Sequence, residues 1–221
     1  MIDEIRLQDG AELLVFGGVK GLISEGDRLQ DKLQAFRPDL ILVSIPEESI
    51  EALEKFMEDP YEITLSDYEL IYGTVLSEYG EVMVPPPIYM EPIKYARHFA
   101  VDIHGIDMEE EEYSRIYTEN VHAFDLVRHS VRKRLIMRHT FKSETAEGFV
   151  EEWNLLINKV RGLSRVDEER LVSIEKNAVA YISKNKEKKR VAVVLDYEFH
   201  KNFVAFMKEN FSADQSPEAL E

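Results

Sequence analysis

Five polar residues fall where chemistry could gather: Lys20, Asp107, Asp196, Glu198 and His200 each follow an apolar run that reads as a strand. Ligands of open α/β sheets collect outside the carboxyl ends of the strands, so these five residues are expected to converge at one sheet edge. Such a cluster holds both signs of charge. A lysine flanked by the backbone amides of Gly17 and Gly18 could bind a carboxylate or phosphate, and a histidine beside acids could act as general base or metal ligand. The plainer alternative is that Lys20 pairs with Asp196 or Glu198 and merely closes the edge, since ion pairs also accumulate at strand ends.

The elements that must position these residues are legible from apolar runs and their punctuation. Ala11-Glu12-Leu13-Leu14-Val15-Phe16 reads as a strand with both faces covered, opening into the loop Gly17-Gly18-Val19-Lys20-Gly21. Leu29, Leu33 and Phe36 give an amphipathic helix that ends before Pro38, and Leu40-Ile41-Leu42-Val43-Ser44-Ile45 forms the next strand, a right-handed strand–helix–strand unit. A helix starts at Pro46-Glu47-Glu48, another at Ser66-Asp67, and a short strand is expected at 81–84 before Pro85-Pro86-Pro87. Residues 88–100 read as a helix carrying Tyr89, and 101–107 as a strand.

Helical spacing then continues without Pro or Gly from Glu109 to about His139, which predicts one long helix. Its second half is basic: Arg128, Arg132, Lys133, Arg134, Arg138 and Lys142 stand with no acid among them, a run suited to phosphate, an acidic partner or a neighbouring acidic helix. Trp153 anchors a helix over 144–160, Gly162-Leu163-Ser164 should end it, and Asp167 should open another with Ile174, Ala178 and Ile182 on one face. Val191-Ala192-Val193-Val194-Leu195 is the last strand, followed by a helix with Phe203 and Met207 and a polar tail at 212–221. The fold expected is α/β: a mostly parallel or mixed sheet of about five strands covered by helices, one long helix in the second half, in a single domain over 1–211.

Composition narrows the functional classes. With 43 acidic against 27 basic residues the net charge is -16, which argues against wholesale nucleic-acid binding. The absence of cysteine excludes thiolate nucleophiles and Cys-ligated zinc. No apolar run approaches the roughly 20 residues a membrane span needs, and Met1-Ile2-Asp3-Glu4 lacks a signal peptide's basic start, so a cytoplasmic location is expected. The loop at Lys20 has neither the length nor the Ser/Thr of a nucleotide phosphate loop, and no G-x-S-x-G elbow is present. His98, His104, His122, His129 and His139 lack metal-ligand spacing and read as surface or packing residues.

The loop after the first long strand, Arg37-Pro38-Asp39 before Leu40-Ile41-Leu42-Val43, the Tyr89-to-Asp107 segment, and Glu175-Lys176-Asn177-Ala178 before the final Val-rich strand occur in one order. Together they resemble the TraB/Tiki family of pheromone-shutdown and metal-dependent protease proteins. That resemblance implies G-x-x-H after the first strand, a strand ending Val-Glu-Leu, and a second G-x-x-H after a late strand. Here Lys20 stands for the first histidine, Ser44 for the glutamate, and Leu195-Asp196-Tyr197-Glu198 for the second motif. An ammonium offers no lone pair to a divalent metal.

Two classes follow. One is a noncatalytic or regulatory binding protein, needing no cofactor, that takes a peptide or small anionic ligand through Gly17, Gly18, Lys20, Ser44, Tyr89, Asp107, Asp196 and Glu198. It requires an apolar cleft near Pro85-Pro86-Pro87 and could dimerise through the long helix. The other is a divergent hydrolase with a divalent metal on Asp196, Glu198 and His200.

Overall fold

The computed structural model describes residues 1–213. The chain runs β1 (Ile2–Arg6), β2 (Glu12–Gly18), α1 (Ile23–Phe36), β3 (Leu40–Val43), α2 (Glu47–Glu58), α3 (Asp67–Leu76), α4 (Pro87–Phe99) and β4 (Asp102–Gly105). It continues through α5 (Glu110–Asn120), α6 (Ala123–Ile136), α7 (Ala146–Ile157), α8 (Arg161–Lys184), β5 (Arg190–Asp196) and α9 (Tyr197–Phe211). The sheet is five-stranded and mixed, in the order β1-β2-β5-β3-β4, with β1 antiparallel and the other neighbours parallel. Among the described residues, no helix is long and apolar enough to cross a membrane.

The central strands are apolar throughout residues 13–16, 40–43 and 191–195 because both faces are covered there. Leu13, Val15, Leu40, Leu42, Val191, Val193 and Leu195 face α8 and α9, meeting Ile174, Ala178, Phe199 and Phe203. Leu14, Phe16, Ile41, Val43, Ala192 and Val194 face α1, α2 and α4, meeting Leu29, Leu33, Ile50 and Ile93. A third cluster lies past the carboxyl edge, where Val19 and Leu22 after β2 pack with Leu76 of α3, Phe149 and Trp153 of α7, and Tyr197.

Four local expectations are corrected. Strand β1 was hidden by its acids: Glu4 is exposed and Asp3 half-buried near His200, which interrupts the apolar pattern although Ile5 is buried on one side of the sheet and Ile2 packs on the other. Conversely, 81–84 forms no strand; Val82 makes an isolated bridge to Leu22, and the prolines that follow lack the N–H groups to extend it. The helix over 109–139 is two helices, broken where Val121 turns extended and Asp125 accepts the His122 amide at 3.3 Å. The long helix is instead α8, 24 residues, and it runs through Gly162. Gly162 lets α8 cross that break closely, since a Cβ there would lie 2.6 Å from the Asn120 carbonyl oxygen. Finally, Ser212 is buried and bridges Leu7, and the Ala213 amide donates to the Arg6 carbonyl at 2.9 Å. Residues 214–221 of the expected tail lie outside the described residues.

Gly105 ends β4 against backbone: an added Cβ would sit 2.5 Å from the Ile45 carbonyl oxygen and 2.6 Å from the Glu47 nitrogen. Gly105→Ala should therefore destabilise by roughly 1–3 kcal/mol or more through overpacking. Gly73, inside α3, has nothing within 4 Å of its Cβ position. Gly73→Ala should stabilise by about 0.5–1 kcal/mol through helix propensity. Urea midpoints of the two variants, moving in opposite directions from wild type, check both.

Candidate functional site

Strands β2 and β5 are parallel neighbours in a register that sets Gly18 opposite Asp196, so their carboxyl ends finish side by side. The helices that follow diverge: α1 leaves β2 for one face of the sheet, and α9 leaves β5 for the other. Strand β3, on the other side of β5, sends α2 to the same face as α1. The end of β5 is thus flanked by two switch points, where crevices open in sheets of this type.

Asp196 occupies that position and is buried at 1% exposure. A carboxylate so placed needs partners on each oxygen and a donor for balance. Oδ2 accepts from Lys20 Nζ at 3.0 Å, and Oδ1 accepts from the Tyr89 hydroxyl, delivered by the first turn of α4. Its backbone amide donates to Ser44 Oγ at 3.1 Å, just beyond β3. Lys20 also reaches Glu198 at 3.6 Å. Asp107, two residues past β4, forms a second buried pair: Oδ1 accepts the Met108 amide at 2.8 Å, and Oδ2 accepts Arg170 Nε at 3.0 Å and Nη2 at 2.5 Å. The Arg170 guanidinium is also 5.1 Å from the centre of the Phe199 ring.

The charges set one another's protonation. Burial would raise Asp196, but Lys20 and then Arg170 outweigh it and hold the carboxyl below the ordinary aspartate value. Burial opposes the Lys20 ammonium, and Asp196 and Glu198 more than compensate, raising it well above an ordinary lysine. Burial raises Glu198, with Lys20 opposing and Asp196 adding to the rise. Burial likewise raises Asp107 despite Arg170. Asp196 is therefore the ionised member of the pair and Glu198 the one that more readily carries a proton.

The acids lie beneath and the cations forward. Asp107 and Asp196 are 5% and 1% exposed, whereas the Lys20 and Arg170 side chains keep 36% and 21%. A cavity of about 430 Å³ adjoins Arg170, with Asp107, Ser49, Tyr113, Glu48 and Met108 on its walls. A second, of about 660 Å³, runs between α7 and α9 beside Glu198, Asn154, Asn158 and Tyr197.

Lys20, Ser44, Tyr89, Asp196 and Glu198 are thus brought together, and Asp107 stands beside them with Arg170. Three expected placements differ. Gly17 and Gly18 face packing rather than an opening: a Cβ on Gly17 would lie 2.5 Å from His200 Cβ, and one on Gly18 2.8 Å from Phe16. Pro85 and Pro87 are buried, Pro87 against Gly26, so that segment is packed into the fold and does not line an apolar cleft. His200 does not join Asp196 and Glu198. Helix α9 starts directly after β5, and residues two apart on a helix are separated by roughly 200°. The His200 ring instead lies under β2, 3.3 Å from the Val15 carbonyl and 3.6 Å from Asp3. Among the described residues, no group of three His, Asp or Glu side chains is placed to hold a metal ion. The donor set at the edge does not fit one, since its nearest nitrogen is an ammonium.

Two residues of the site were missed. Arg170 lies on the i, i+4 row Val166, Arg170, Ile174, Ala178, Ile182, whose other members are all buried. A cation inside an apolar stripe was the signal for it. Glu25 is buried in the first turn of α1, accepts the Val19 amide at 3.3 Å and pairs with Arg28 at 2.6 Å, which fixes the loop carrying Lys20. No family model matches this chain, and no curated protein matches it.

Asp196→Asn should cost about 1–3 kcal/mol at neutral pH, because it weakens the hydrogen bonds to Lys20 and Tyr89 while Lys20, partly exposed, keeps Glu198 within 3.6 Å. A depressed carboxyl binds fewer protons folded than unfolded, so its contribution is complete above the ordinary value of 3.8 and is lost as pH falls through the lower folded value. The deficit should shrink over that range. Glu198 has the opposite sign: its charge opposes folding above 4.5, so Glu198→Gln should be more stable than wild type at pH 7, and the gain should vanish in more acid solution where wild type is protonated too. Denaturant titrations between pH 3 and pH 7 check both signs.

Proposed function

We propose that this is a noncatalytic or regulatory binding protein on a TraB/Tiki-like scaffold, whose crevice at the end of β5 takes a small anion or the carboxylate of a peptide. The observation that carries this reading is Arg170: a guanidinium locked by Asp107 and the Phe199 ring, with part of its surface open to a cavity of about 430 Å³. A preorganised fork of N–H donors suits carboxylate and phosphate, because little side-chain entropy is lost on binding. Lys20 supplies a second cation at the same edge, fixed by Asp196.

The scaffold reading is supported by where the family's motif positions fall. Lys20, Ser44 and the segment from Asp196 to Glu198 all lie at the carboxyl edge, and the Lys20 ammonium on Asp196 supplies positive charge where a metal would. Metal-dependent hydrolysis has no support in this donor set. Ser44, the hydroxyl at this edge, is buried and accepts a backbone N–H, and among the described residues no histidine is hydrogen-bonded to it.

Calorimetric titration with inorganic phosphate and with acetate at low ionic strength tests the reading. Saturable one-to-one binding is expected. Removing Arg170 alone would strand the buried Asp107, so the test variant is Asp107→Asn with Arg170→Gln, which deletes both charges. It should weaken binding by at least about tenfold, the loss of one charge-assisted hydrogen bond or more. Absence of saturable binding, or unchanged affinity in the double variant, would overturn the proposal.

A further inference from the structure

Helix α6 carries a surface that the crevice does not use. Phe124, Val127, Val131 and Leu135 recur at intervals of three, four and four residues and are 71%, 62%, 54% and 60% exposed. At 3.6 residues per turn they form one stripe about 80° wide. The opposite face is the anchored one. Ile136 is buried, Tyr68 donates to the His129 carbonyl at 2.8 Å, and Arg132 donates to the Leu156 carbonyl at 2.9 Å. The stripe is therefore the outward side of a helix whose inner side already has its partners.

Its borders are cationic. Arg128 leans over the Phe124 ring at 5.7 Å, Arg134 stands in the last turn on the other border, and Arg138 follows just past the helix end. Lys133 is tied to Asp67 and His139 to Glu152, but among the described residues no ion pair joins Arg128, Arg134, Arg138 or Lys142 to a carboxylate. Uncommitted cations beside exposed apolar side chains are unexpected in a chain of net charge -16, where acids are abundant.

We infer that this stripe is the docking surface for an acidic amphipathic helix of a partner protein, which would bring apolar residues at the same three-and-four spacing and Asp or Glu beside them. Charge and shape choose this occupant. A stripe one helix wide matches the seam between two helices, whereas an interfacial membrane helix presents a broader apolar face. Self-association through α6 would set Arg128 and Arg134 against their own copies across a two-fold axis.

The probe is a fluorescein-labelled 18-residue designed helix with Leu at the seam and Glu on both flanks, read by fluorescence anisotropy; a matched peptide carries Lys for Glu. Saturable binding of the acidic peptide, weakening as salt rises and at least about tenfold stronger than that of the basic one, is expected. Val131→Asp and the pair Arg134→Glu with Arg138→Glu should each lower affinity about tenfold or more. All three positions lie outside the buried core, so unchanged circular dichroism and melting temperature should accompany the loss. Phosphate binding at the crevice should be unaffected in these variants, which keeps the two proposals separable. Equal binding of both peptides, or insensitivity to all three substitutions, would overturn the inference. So would a preference for phosphatidylserine-containing vesicles over the peptide, or a doubling of mass in sedimentation equilibrium that Val131→Asp abolishes.

Discussion

The carboxylate of Asp196 is the constraint around which this fold closes. Buried at the end of the central strand β5, it would be prohibitively costly without compensation, and its compensation comes from separate parts of the chain. Lys20 arrives from the loop after β2, Tyr89 from α4, and Ser44 from the end of β3. None of these elements can shift far without exposing or orphaning the charge. The ion pair thereby couples the sheet's register to the placement of α4 and of the loop that Glu25 holds from beneath. Its contribution is as much to specificity as to stability, because a misregistered strand would bury the same charge without a partner.

The second buried acid, Asp107, repeats the device one strand pair away and turns it outward. Its partner Arg170 comes from α8, is steadied by Phe199 of α9, and borders a cavity. Buried acids beneath partly exposed cations hold two positive groups at this edge of a strongly acidic protein, with Glu48 and Glu110 on the walls of the same cavity. Local field, not net charge, is what a small anion meets at close range, since the remaining charges are screened beyond about 8–10 Å. The α6 stripe shows the same separation of local from net charge, this time on a convex helix instead of a crevice.

How much of this was legible depended on the range of the interaction. The runs at 11–16, 40–45 and 191–195 announced buried strands because apolar residues on both faces leave no polar alternation, and those strands stand in the structure. Positions just past strand ends identified Lys20, Asp107, Asp196 and Glu198. What periodicity lacked was punctuation without Pro or Gly: the break at Val121 lies where α8 passes close. Although a helix ends before Gly162 as expected, the next begins at Arg161 and not at Asp167, with Gly162 serving the crossing. Strand β1 was obscured because Asp3 and Glu4 interrupt its two apolar residues, Ile2 and Ile5, which pack on opposite faces of the sheet.

The sequence by itself determined the α/β alternation, the two-sided burial of the central strands and the loading of charge at their carboxyl ends, since each rests on local apolar pattern. Tertiary structure alone decided which charges meet. Strand order places β5 between β2 and β3, so residues 176 positions apart, Lys20 and Asp196, become partners at 3.0 Å. It also decided that His200, two residues from Glu198, belongs to another neighbourhood, because α9 begins with no intervening loop and its turn carries the imidazole under β2. Spacing along the chain fixes which face of an element a residue occupies; only the packing of elements fixes what that face meets.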